Sequence, residues 1–246
     1  MKNIRKILAF TLAETLIVMG IIGVVAALTI PNLNSSTADK EKVAKVKKVY
    51  SNLNDALGRA EAVYGPVDEW IKDDANATAQ ATRIGERLTE FMKITKNCGV
   101  STSGSTNSCW SNGKTFALNG TATPTWVDTN ANYYKVTLAD GTGLTVTPAI
   151  NNSTGRVFWA YINIDGVTKR ATLGKNTFRF NGFTQNGVQP DSTDSSTISA
   201  CFGGSGEPCS GWVVQFDNMD YLKVGTDKKC PNGKTILDGT TNTTCK

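Results

Sequence analysis

A single carboxylate, Glu14, stands in an apolar run from Phe10 to Ile30, and six cysteines stand at Cys98, Cys109, Cys201, Cys209, Cys230 and Cys245. These are the residues whose type and spacing could do chemistry. A carboxylate inside hydrocarbon costs about 2.5–3.5 kcal/mol at the centre of a membrane helix, so Glu14 is either tolerated near an interface or has a partner. The cysteines are spaced C-x10-C, C-x7-C and C-x14-C, with no C-x2-C knuckle and no histidine anywhere in the chain to complete a zinc site. An even number of them in Ser/Thr/Asn/Gly-rich sequence points to disulfides and an oxidising compartment. Six cysteines allow about 15 pairings. Pairing of sequence neighbours (98–109, 201–209, 230–245) is one choice among them.

The missing histidine also removes the usual general base at neutral pH. No nucleophile–base constellation assembles beyond generic Ser–Lys pairs, so neither an enzyme nor a cofactor is expected. "NGKT" occurs at Asn112–Thr115 and again at Asn232–Thr235, but a phosphate-binding loop needs a glycine five residues earlier, where Ser108 and Lys228 stand. Both stretches read as turns. Asn163 and Asp165, and Asp217, Asn218 and Asp220, could offer oxygen to calcium. Neither run completes a calcium-loop pattern, and these are ordinary turn residues, so no metal is expected. The net charge of +5 is concentrated in the leader, where Lys2, Arg5 and Lys6 meet no acid; residues 66–246 carry 17 basic and 16 acidic side chains. Trp110, Trp126, Trp159 and Trp212 therefore lack the basic groove of a single-strand platform, and no nucleic acid is expected.

The elements that position these residues begin with residues 10–30, 21 residues in which Glu14 is the only charge. That length suffices to cross a bilayer as a helix. A secretory signal could be cleaved after Val25-Ala26-Ala27, but the apolar run continues past that point and would hold Glu14 in its core. A lipoprotein signal fails because the first cysteine is Cys98, and a plain anchor leaves Glu14 without a role. After Pro31, Val43, Val46, Tyr50, Leu53, Leu57, Ala60 and Tyr64 recur at spacings of three and four, one apolar stripe of a helix that Gly65-Pro66 should stop.

The segment "AFTLAETLIVMGIIGVVAALTIP" resembles the N-terminus of type IV pilins and type II secretion pseudopilins. A basic leader precedes a small residue, then Phe10, Thr11 and Leu12, with glutamate fifth and Pro31 twenty-second counting from Phe10. The resemblance implies cleavage between Ala9 and Phe10 by a prepilin peptidase and N-methylation of Phe10. It also implies assembly through Glu14 and a helix kink at Pro31. The family usually carries glycine where this chain has Ala9. The partners implied are copies of the chain or other pilins in a helical filament, the peptidase, an inner-membrane assembly platform and membrane lipid. Some heads in this family hold calcium, which is the only reason to keep Asn163, Asp165, Asp217 and Asp220 in view.

The remainder reads as a helix in "TRIGERLTEFMKI" sharing Ile84, Leu88 and Phe91, then strands. "YYKVTL" and "LTVTP" flank Asp140-Gly141 as a hairpin, "RVFWAYINI" is the strongest strand, and "TFRF", "GWVVQF" and "YLKV" follow it. "TQNGVQPDSTDSSTISA" reads as a loop. "NIDGVTKRATLGKNTFRF" and "GWVVQFDNMDYLK" also resemble segments of pilin-like heads, more weakly.

The expected fold is α+β and pilin-like: a leader (1–9), a transmembrane and filament-core helix (10–30), its amphipathic continuation (31–65), and a β-rich head (66–246) whose antiparallel sheet that helix covers. Long disulfide-closed loops complete the head. The expected precursor is single-pass in the inner membrane with a cytoplasmic N-terminus, later a periplasmic or surface filament. Lys40, Lys42, Lys45, Lys47 and Lys48 beyond the span oppose that orientation on a simple count; the leader and the cysteines favour it. Two other readings stay open: a filament-tip binding module for DNA or surfaces, and a protein released by signal peptidase.

Overall fold

The computed structural model describes residues 11–100, 109–110, 115–121, 130–151, 153–167, 170–192, 201–202, 204–225, 227–236 and 243–245, without the side chains of 28–36. The chain forms two compact units, Met1–Glu41 and Lys42–Lys246. Helix α1 covers Leu12–Tyr64 and belongs to both.

In the second unit α1 presents the expected stripe. Val43, Val46, Leu53, Leu57 and Ala60 are buried, and Val49 and Ala56 join them. Tyr50 is half-buried, stacked on Phe180 with ring centroids 5.4 Å apart. Tyr64 departs from the stripe: it is exposed, its ring lies under the Arg87 guanidinium at 4.6 Å, and its hydroxyl is bonded to Glu90. The stripe drifts because 3.6 residues per turn cannot keep one face over so many turns. Gly65 closes the helix at φ +78°, donating its N–H to Glu61 at 2.9 Å. Glycine takes that left-handed position without the penalty a Cβ brings.

Helix α2 spans Ala77–Thr89, capped by Asn76, whose Oδ1 accepts the Ala79 N–H at 3.0 Å. It buries Ala81, Ile84 and Leu88; Phe91 falls beyond its end, partly buried against the same core. Gly85 permits the close approach of Tyr134, since a Cβ there would come within 2.1 Å of the ring.

One antiparallel sheet follows in chain order: β1 (Ile94–Val100), β2 (Tyr134–Leu138), β3 (Gly143–Asn151), β4 (Arg156–Asn163), β5 (Thr177–Phe183) and β6 (Gly187–Pro190). Residues alternate between faces with period two. Leu144, Val146, Phe158, Ala160, Ile162, Phe178 and Phe180 join the same core as the α1 stripe. Four strands fall where the alternation places them. The β2–β3 turn is fixed by Gly141 at φ +83° and by Asp140, whose Oδ1 accepts the Thr142 N–H at 3.1 Å. The other Asp140 oxygen meets Lys48 Nζ of α1 at 3.1 Å. Partial burial works against the Asp140 charge, but the Thr142 hydrogen bonds and Lys48 outweigh it and hold the carboxyl below its usual range.

Four expectations need correction. β1 was hidden because register shifts at Ile94/Lys96 and Asn97/Gly99 break its alternation; such bulges, with Lys96, blunt an exposed edge. β6, expected as loop, has only four residues and places Pro190 on an edge, where its missing N–H costs least. "GWVVQF" is not a strand but lies in helix α3, Cys209–Phe216, ended by Asp217 at φ 59°. Apolar runs this short do not distinguish a strand from a buried helix. "YLKV" lies largely in a 3-10 turn, Asp220–Lys223. The fold class itself stands: α+β, antiparallel, with Cys98–Cys109, Cys201–Cys209 and Cys230–Cys245 all disulfide-bonded.

Candidate functional site

The start of α1 is built around Glu14. Its Oε2 accepts the Thr11 backbone N–H and the Thr11 hydroxyl, both at 2.8 Å, and the Glu14 N–H donates to Thr11 Oγ1 at 3.3 Å. This reciprocal pattern is a capping box, which satisfies two of the donors orphaned at a helix start. Glu14 therefore has a partner within its own first turn. The signature Thr-x-x-Glu before an apolar run was present in the sequence and would have found it. Thr15 Oγ1 donates to the Leu12 carbonyl at 2.9 Å and so adds no free polar group.

Beyond this cap the helix is apolar all round and uncovered. Leu12, Leu16, Ile17, Val18, Met19, Ile21, Ile22, Val24 and Val25 are all more than half exposed. Gly20 and Gly23 face open space as well, with nothing within 4 Å of where a Cβ would stand. An apolar surface of this extent exceeds what soluble monomers usually leave in water. No helix among the described residues is long and apolar enough to cross a membrane. Ala9 and Phe10 lie outside the described residues; Pro31 lies within the bounds of α1, its side chain outside the description.

The oxygen-bearing turns of the head are occupied by the fold itself. Asn163 Oδ1 accepts the Asp165 N–H at 3.2 Å, and Asp165 Oδ2 accepts from Asn176 at 3.4 Å. Asp217 caps α3 and pairs with Lys47 at 2.8 Å. Asp220 accepts the Cys245 N–H at 2.7 Å and pairs with Lys223, while Asn218 accepts the Trp212 indole N–H at 3.0 Å. Among the described residues no group of three acidic or cysteine side chains is disposed to hold a metal. The second "NGKT" is a turn, with Gly233 at φ +82° and Asn232 Oδ1 accepting the Lys234 N–H at 3.2 Å. Of the first, only Thr115 is described, and it is buried. Trp110 and Trp212 are core residues, Trp159 is half-buried, and Trp126 lies outside the described residues.

A second constellation was not anticipated. The sheet face that points away from the apolar core carries two cross-strand rows. One runs Lys135, Thr145, Tyr161, Arg179 and the other Thr147, Trp159, Asn181, Gln189. Alternation predicts that such a polar face meets water. Here Lys135 and Thr145 are 0% exposed, Tyr161 1% and Asn181 6%. Arg179 donates from Nε to Asp191 Oδ2 at 2.7 Å and pairs through its Nη1 with Glu207 Oε1 at 3.1 Å. Asn181 Nδ2 donates to Asp191 Oδ1 at 3.1 Å. Burial disfavours the Arg179 charge, but Tyr161, Asp191 and Glu207 outweigh it and hold the guanidinium above its ordinary value. Burial pushes the Tyr161 hydroxyl up to about 12, with the Arg179 charge opposing.

No family model matches the chain, and no curated protein or solved structure matches it significantly.

Proposed function

We propose that the chain is a structural subunit of a type IV pilus or type II secretion pseudopilus. A prepilin peptidase cuts between Ala9 and Phe10, and the new Phe10 amine is methylated. Residues 10–30 hold the precursor in the inner membrane, with its N-terminus cytoplasmic, and then enter the core of a helical filament made with copies of the chain or related pilins. The unit beginning at Lys42 is displayed outside. The observation that carries this reading is the run of nine large apolar side chains from Leu12 to Val25, exposed on every side of one helix directly behind the leader and Phe10 motif. Exposed apolar surface is stabilised by removal from water, in lipid first and between helices afterwards. Gly20, Gly23 and Ala27 allow close helix approach, Gly23 and Ala27 as a small-xxx-small pair. The six paired cysteines agree with an oxidising exterior for everything from Cys98 onward.

Intact-mass measurement of the protein from membranes and from sheared filaments tests the proposal. A mature chain that begins at N-methyl-Phe10 is expected. A terminus near Leu28, or an uncut chain in cells with an active prepilin peptidase, overturns it.

A further inference from the structure

We infer that Asn186, in the turn between β5 and β6, is a site of spontaneous deamidation whose isoaspartate product loosens the outer strand. The inference does not depend on the assembly function. Asparagine followed by glycine leaves the side-chain amide most open to the next backbone nitrogen, because glycine puts no Cβ in the path. The chain holds five such pairs, at Asn112, Asn119, Asn181, Asn186 and Asn232, the first of them outside the described residues. The fold restrains three of the other four. Asn119 Oδ1 accepts the Thr121 N–H at 3.0 Å, and Gly120 donates its own N–H to the Ala117 carbonyl at 3.0 Å. Asn232 is held at both ends, its Oδ1 accepting the Lys234 N–H at 3.2 Å and its Nδ2 donating to the Cys245 carbonyl at 2.8 Å. Asn181 is 6% exposed and donates to Asp191 at 3.1 Å. Asn186, by contrast, is exposed, and its side chain makes no hydrogen bond among the described residues. Gly187 is the first residue of β6, paired with Phe183, so fraying of one strand end is enough to free its nitrogen.

The reaction needs water alone. With its proton lost to hydroxide, the Gly187 nitrogen attacks Asn186 Cγ. The Cγ–Nδ2 bond then breaks, and the amide nitrogen leaves as ammonia after taking a proton from water. A cyclic succinimide remains, which a second water opens at either carbonyl. Attack at Cγ restores the original backbone with an aspartate side chain. Attack at the main-chain carbonyl gives isoaspartate, in which the chain runs through Cβ and Cγ and is longer by a single atom. No electrons are exchanged; in sum a water enters and an ammonia leaves. The extra atom falls immediately before Gly187 and Val188, where β6 has little room to shift. Asn54 of α1 holds Val188 through its backbone N–H and carbonyl, and a Cβ on Gly187 would already stand 2.8 Å from Asn54 Oδ1. Isoaspartate therefore displaces β6 against Asn54, whereas aspartate keeps the backbone path.

The test ages the full-length chain in detergent at mildly alkaline pH and samples it over weeks by peptide mapping. The mass gain of a deamidated peptide is read directly, and aspartate and isoaspartate forms separate by retention. Asn186 should convert roughly tenfold faster than Asn119, Asn181 or Asn232, the factor that one good hydrogen bond is worth. A parallel sample, reduced and unfolded in urea, should convert all four at similar rates, because the fold and not the neighbouring sequence makes the difference. Hydrogen exchange of the aged folded protein is then read on the peptide that spans β6. Its isoaspartate form should exchange faster than its asparagine and aspartate forms. Three results overturn the inference: Asn186 stays intact or is overtaken by any of the other three in the folded chain; its lead persists in urea; or the isoaspartate form exchanges no faster than the others.

Discussion

The side-chain amide of Asn54 on α1 makes both backbone hydrogen bonds of Val188 on β6, accepting its N–H at 2.9 Å and donating to its carbonyl at 3.0 Å. A helix side chain here does the work of a seventh strand. β6 is the outer strand of the sheet, and its free edge would otherwise invite pairing with another chain.

Asn54→Leu should therefore destabilise the head by roughly 2–4 kcal/mol, two modest hydrogen bonds plus the cost of leaving buried Val188 unpaired. Denaturant midpoints measure the loss. Amide exchange localises it, because the Val188 N–H should exchange far faster in the variant while β4 amides keep their relative protection.

The capping box separates two roles of Glu14. Glu14→Gln retains a side-chain acceptor for the Thr11 donors and removes the charge, whereas Glu14→Ala removes both. If the charge receives the Phe10 amine of the next subunit, both variants should insert and lose their leader but be absent from sheared filaments. Normal filament incorporation of Glu14→Gln, in cells lacking the parent chain, would reduce Glu14 to a helix cap.

Tyr161 makes stability fall at alkaline pH. Its hydroxyl ionises near 10 in an unfolded chain and at about 12 in the folded one, where burial opposes the phenolate. Folding thus gains from the neutral form fully below pH 10, and that gain is lost as pH rises through about 12. Tyr161→Phe should flatten the decline in unfolding free energy across this window. Phenolate absorbance should show one fewer late-titrating tyrosine.

The disulfide pairing is checked by mass mapping of a digest made without reductant. The expected crosslinks are Cys98 to Cys109, Cys201 to Cys209 and Cys230 to Cys245. Alkylation under the same conditions should label no thiol. Replacing both members of one pair by serine should cost about 2–4 kcal/mol.

What could be read beforehand depended on how local its cause was. The α1 stripe, the end at Gly65 and strands β2 to β5 follow from periodicity and from turn residues within a few positions, and these were legible. The resemblance at Phe10 located Glu14, but the attention to its charge obscured the simpler bond to Thr11. Nothing local marks α3, where the short apolar stretch Trp212-Val213-Val214 suits either regular structure, nor β6, whose pairing is completed by Asn54 from 134 positions away. The second sheet face was illegible for the same reason. Lys135, Tyr161 and Asn181 alternate like solvent-facing residues, and contacts from far along the chain, such as Glu207 with Arg179 and Trp110 with Tyr161, help to cover that face.

The disulfides have a consequence under mechanical load. Each joins near neighbours in sequence, with separations of 11, 8 and 15 residues, and β2 to β6 lie outside all three closed loops. A pull on the two ends of the chain therefore runs through the hydrogen-bonded ladders and bypasses the loops. The crosslinks withhold roughly 100 Å of extensible contour, at about 3.5 Å per residue, without reinforcing the sheet itself. Stretched singly, the oxidised head should begin to yield at the same force as the reduced one and come out shorter.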